Sequence, residues 1–267
     1  MRFLRGGWAI CKRELHSYFV SPVAYALLAI FWLAEGIFFV SILGYWAAQG
    51  RNADARVQEF GAEGNLLNVP AMVAGSFLDV TALVLMFVVP IIAMGLLSEE
   101  KRRGTMDLLL TSPVSNAGIM WGKFCGAYVF LLFMLTPPFL FQFVMDFYGD
   151  NEFGTFVTGF LGLALMSASM LAATLWVSSI TKNQVVSAFA GYGVLMVFWF
   201  IDAPANLLPS IYQDGVRWLS IHNHFGDFRV GVISGRDLNY FVWFPAFFLF
   251  LTYTALESIR WRGVRSS

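Results

Sequence analysis

The chain has 267 residues, of which 58% are hydrophobic and 13% charged. Soluble domains carry roughly 45–50% and about 25%, so a surface facing water cannot be covered at this ratio. The formal net charge is zero and the 17 basic residues fall in short, scattered clusters, which excludes a nucleic-acid binder. The expected fold is therefore all-α, a polytopic integral membrane protein forming a single transmembrane domain over residues 1–267.

In chain order, the first expected element is an amphipathic helix over residues 2–19. Leu4, Trp8, Cys11, Leu15, Tyr18 and Phe19 recur at steps of three and four on one stripe, with Arg5, Lys12, Arg13 and His16 on the opposite arc. Such a basic helix lies in the headgroup plane of a bilayer; a helix packed on protein is the alternative. The apolar run from Pro22 to Trp46 is too long for a signal-peptide core and closes on no A-x-A-like site, so it is expected as a retained span.

A bilayer core needs about 20 apolar residues per helix. On that criterion six spans are expected, over 22–46, 80–97, 124–148, 153–180, 185–201 and 238–259. Residues 69–79 are either an interfacial lead-in to the second span or its extension. Pro90, Pro137, Pro138 and Pro245 fall inside spans, where each removes a backbone hydrogen bond. Glu35 lies midway along the first span, where an ionisable group costs about 2.5 kcal/mol or more, so it should meet a cavity, a partner or another helix.

Every lysine and most arginines (Arg2, Arg5, Lys12, Arg13, Lys101, Arg102, Arg103, Lys123, Lys182, Arg260, Arg262 and Arg265) share one side of this layout. That side is expected to be cytoplasmic, with both termini on it. Cys11 and Cys125 also fall there and are expected as free thiols. The region 202–237 lies on the external face and should carry one or two short helices. His222 and His224, at i and i+2, supply too few ligands for a metal.

The longest cytoplasmic connection, 98–123, gathers Glu99, Glu100, Lys101, Arg102 and Arg103, then turns at Gly104. Thr105 can cap a short helix containing Met106, with Asp107 in its first turn, leucines to follow and Pro113 as its end. Ser115 or Asn116 can cap the next helix. By residue chemistry this is either a docking element for a soluble partner or an ordinary solvated loop.

The string EEKRRGTMDLLLTSP resembles the signature of the type-2 ATP-binding cassette exporter permeases, carried here by Glu99, Glu100, Lys101, Gly104, Thr105, Asp107, Leu109, Leu110 and Pro113. Asp107 stands where glutamate is common in that family. KRELHSYFVSP, from Lys12 to Pro22, is similar to the family's interfacial elbow helix, which here takes in Trp8, Lys12, Arg13, Glu14 and Leu15. The stretch from His224 to Phe241 resembles the family's gliding-motility branch.

The resemblance implies a non-catalytic permease that dimerises with a like or unlike second permease subunit in a bacterial inner membrane. Two cytoplasmic ATPases would bind ATP and Mg, and the 99–113 region would be the coupling helix. An additional membrane or external protein belongs to the same picture. The sequence contains no G-x-x-x-x-G-K-[ST], so ATP hydrolysis must come from another chain if this is a pump, and no cofactor is expected in this one. Two alternatives stand beside this reading: a proton-coupled secondary transporter using Glu35, and a membrane scaffold without transport activity.

Overall fold

A computed structural model describes residues 2–60, 68–106, 114–148 and 153–265. Its elements are α1 (Arg2–Val20), α2 (Pro22–Phe60), α3 (Val69–Ala93), α4 (Ser98–Arg102), α5 (Asn116–Met134), α6 (Thr136–Tyr148), α7 (Phe153–Ile180), α8 (Gln184–Phe200), a 3₁₀ turn (Ala203–Leu207), α9 (Ser210–Trp218), α10 (Ile221–Arg229) and α11 (Gly235–Arg265). Five of these helices, α2, α3, α5, α7 and α11, are long and apolar enough to cross a membrane. The fifth expected span, α8, is apolar but has 17 residues, about 26 Å of helix at 1.5 Å per residue.

Several helix boundaries differ from the expected ones. Helix α2 does not stop near Trp46 but runs on through AAQGRNADARVQEF to Phe60, because Ala, Gln, Arg and Glu continue a helix without an apolar face. Helix α3 takes in the lead-in and begins at Val69. Asn68 Oδ1 accepts a hydrogen bond from Ala71 N at 3.2 Å and Pro70 sits in the first turn, a capped start rather than an interfacial loop.

The third expected span is broken in two. Helix α5 begins at Asn116, where Ser115 Oγ caps Gly118 N, and it ends at Met134 before α6 restarts at Thr136. Pro137 and Pro138 cannot donate to the carbonyls of Phe133 and Met134, four residues back. Both carbonyls find other donors: Thr136 Oγ1 reaches Phe133 O at 2.6 Å, and Trp32 Nε1 from α2 reaches Met134 O at 3.1 Å. The break is thereby satisfied without water, as an apolar setting demands.

Helix α7 lies at the centre. Met166, Met170 and Leu171 on it pack with Leu85, Met86 and Val89 of α3 and with Phe130, Leu131 and Met134 of α5 in one buried cluster. In their most apolar windows, 67% of α7 is buried but only 17% of α2. Helix α2 turns Ile30, Leu33, Ile37 and Val40 outward. The core is thus three helices deep, with α2, α8 and α11 around it.

Candidate functional site

The basic end of the bundle is organised by the crossing of α1 over α5. Gly118, Gly122 and Gly126 recur every fourth residue and so share one face of α5. A Cβ at Gly122 would meet Gly7 O at 2.6 Å and Ile10 Cβ at 2.8 Å, and one at Gly126 would meet Glu14 Cβ at 2.8 Å. The two backbones therefore approach as closely as helices do through small residues. The consequence is that Glu14 of α1 faces Lys123 of α5.

Lys123 is the most deeply buried cation in this cluster, its side chain 3% exposed. Its ammonium lies 2.9 Å from Glu14 Oε1 and 2.9 Å from Glu100 Oε1 of α4. Arg13 approaches the same two carboxylates at 3.0 and 3.4 Å. Two acids and two bases leave the cluster neutral, which offsets the desolvation that a lone buried lysine would suffer. Burial, then the neighbouring Glu14, pushes the Cys11 thiol up from its ordinary range.

Helix α4 is pinned independently to the end of α7. Ser178 Oγ accepts hydrogen bonds from Leu97 N at 3.1 Å and Ser98 N at 3.2 Å, and donates to Met94 O at 3.1 Å. The Lys101 ammonium donates to Ser179 O. The chain then leaves α4 through Gly104, whose φ of +68° suits glycine.

The expected site residues are thus distributed over several tasks. Glu100 points into the hub, Lys101 to α7, and Met106 into the core, while Glu99 and Arg103 pair with each other on the surface. Arg102, Gly104 and Thr105 are exposed. Asp107, Leu109, Leu110 and Pro113 lie outside the described residues. On α1, Arg13 and Glu14 enter the hub and Leu15 packs on the core, whereas Lys12 is exposed and Trp8 is 71% exposed. Sequence reasoning did not single out Lys123 or the glycines. The available signals were a lysine opening an apolar helix and the four-residue glycine spacing.

Glu35 lies apart from this hub. It is fully buried, and its Oε2 accepts a hydrogen bond from Thr81 Oγ1 of α3 at 2.8 Å, so it meets another helix.

At the opposite end, α10 is fastened by two further pairs. Arg229 donates to Asp79 of α3. His224, wholly buried, lies between Trp218 O at 2.9 Å from Nε2 and Asp237 Oδ1 at 2.5 Å from Nδ1, with its ring stacked on Tyr240 at 4.1 Å. A carbonyl only accepts, so Nε2 carries a hydrogen and a single proton lies between Nδ1 and Asp237. Asp227 hydrogen-bonds to Asp237, and that contact, followed by burial, holds its carboxyl above the usual range. Among the described residues no group of three or more His, Cys, Asp or Glu side chains could hold a metal ion.

A family model described as ABC-2 family transporter protein matches residues 8–256. The chain belongs to that family. No curated protein matches it. Members of the family are membrane subunits of ATP-binding cassette transporters, so the chain is a multi-pass membrane permease and its partner is an ATP-binding cassette ATPase. The resemblance carried by EEKRRGTMDLLLTSP thus holds for the family as a whole.

Proposed function

We propose that this ABC-2 permease couples ATP hydrolysis on separate cytoplasmic subunits to movement of an amphipathic substrate. It does so through residues 99–113 as coupling helix and α1 as interfacial elbow. The observation that carries this reading is the four-residue hub. It ties α1, α4 and α5 together immediately before the 107–113 segment, so that a push on that segment reaches the bundle through Glu100 and Lys123.

In this reading six helices cross a bacterial inner membrane with both ends inside, α8 spanning about 26 Å where the hydrocarbon is about 30 Å thick. A second permease copy or homologue completes the transporter, and ATP and Mg bind only to the ATPases. The weakly buried face of α2 supplies apolar surface for that second subunit. A second reading, mechanical work on an external partner, is favoured by α9 and the turn before it, where Leu207 is 87% and Ile211 80% exposed. The likeness of residues 224–241 to the gliding-motility branch points the same way.

The test is co-purification of the chain with ATPases encoded in its own genome. Asp107→Arg is expected to abolish association while leaving the chain inserted. Glu100→Gln, an internal change, is expected to keep association and lower coupled ATP turnover. Unchanged binding and turnover in Asp107→Arg rejects the coupling role.

A further inference from the structure

A second cationic feature lies on the basic end, outside the hub. Lys101 and Lys182 line a cleft of roughly 460 Å³ between the turn at Gly104, the end of α7 and the last turns of α11. Ser258 lines it with its hydroxyl donating to Ala255 O, and Met106, Ile180 and Ile259 supply an apolar wall. Among the described residues no carboxylate lines it. The Lys101 ammonium already donates to Ser179 O, which fixes its position and leaves two N–H groups for a ligand. Lys182 is exposed and has no ion pair among the described residues.

Two cations and an adjoining apolar wall complement an amphiphile with an anionic head. The position agrees. The cleft sits where α7 and α11 pass from apolar to polar sequence, the level at which headgroups meet basic pockets between helices. A free phosphate ion would use the lysines and leave the wall of Met106 and Ile259 without a role.

We propose that this cleft binds an anionic phospholipid through its phosphate headgroup. The phosphate lies between Lys101 and Lys182, and the glycerol and first methylenes lie on Met106 and Ile259. Such a lipid bridges α7, α11 and the turn at Gly104. The site follows from the cleft's geometry and does not depend on whether an ATPase docks.

Binding can be read on the purified full chain in neutral detergent, by native mass spectrometry and titration with dioctanoyl phosphatidylglycerol, dioctanoyl phosphatidylcholine and inorganic phosphate. Saturable binding of the phosphatidylglycerol alone is expected, weakened about fivefold in Lys182→Gln and kept in Lys182→Arg. Lys182 is exposed, so its variants should fold. Arg236→Gln, at the opposite end and 60% exposed, should leave binding unchanged. Equal binding of phosphatidylcholine or of inorganic phosphate overturns the proposal. So does an affinity unaffected by Lys182→Gln, or one lowered as much by Arg236→Gln, the mark of diffuse charge attraction.

Discussion

The two ends of the bundle both bury charge, but they fasten it differently. At the basic end Lys123 is shared by Glu14 and Glu100, and the helices bearing Lys123 and Glu14 are held at contact by the glycine face of α5. At the opposite end one histidine bridges one carboxylate and one carbonyl, stacked on an aromatic ring. The first arrangement divides two cations among two carboxylates through several redundant contacts. The second hangs on a chain of hydrogen bonds through His224, Asp237 and Asp227, whose carboxyl is held above its usual range. A rigid junction and a proton-dependent clasp are what this contrast predicts.

Lys123→Met should give the largest effect. It leaves the two carboxylates with only the largely exposed Arg13 as counter-ion, a loss of about 3 kcal/mol given that both acids keep some contact with water. Thermal unfolding in micelles reads it, and adding Glu14→Gln and Glu100→Gln to Lys123→Met should restore part of the loss. Gly122→Leu should come close behind at roughly 2–3 kcal/mol, since its Cβ meets a backbone oxygen that cannot turn aside. If Gly122→Leu unfolds at the wild-type temperature, the close crossing of α1 and α5 is refuted.

His224→Phe preserves the stacking on Tyr240 but removes the buried ring nitrogen that Asp237 Oδ1 meets, and should cost about 2 kcal/mol. Smallest is Asp227→Asn, visible only as a function of pH. Asp227 is pushed up in the folded state, chiefly by its hydrogen bond to Asp237, so its stabilising contribution is present at low pH. It is lost as pH rises through the raised value. The asparagine variant should flatten that decline, and an unaltered pH profile would separate Asp227 from the clasp.

Much of the helix layout was legible from apolar runs. The length of α7, the proline positions and the turn at Gly104 follow from hydropathy and backbone chemistry alone. The end of α2 was not, because its polar continuation has helix-forming residues but no apolar period, which pattern reading takes for a loop. The start of α3 rested on Asn68, a cap that outweighs the ambiguity of the residues after it. Of the site, the charge cluster at 99–103 was visible, but its division into hub, surface pair and α7 contact was not. That division depends on Glu14 and Lys123, which are 109 residues apart and are joined only by packing. Glu35 needed a partner on physical grounds, and only the fold supplies Thr81.

The spacing of Gly118, Gly122 and Gly126 has a consequence for how this stretch can change in length. One residue inserted between Gly118 and Gly126 rotates everything beyond it by about 100° around the α5 axis, carrying Gly126 out from under Glu14 and Cys11. If the insertion falls before Lys123, it swings that ammonium away from both carboxylates as well. Side chains here can be exchanged one at a time and answered by their neighbours. The count of residues cannot, so variation in length is expected to collect in the connections around this helix and to spare the nine residues from Gly118 to Gly126.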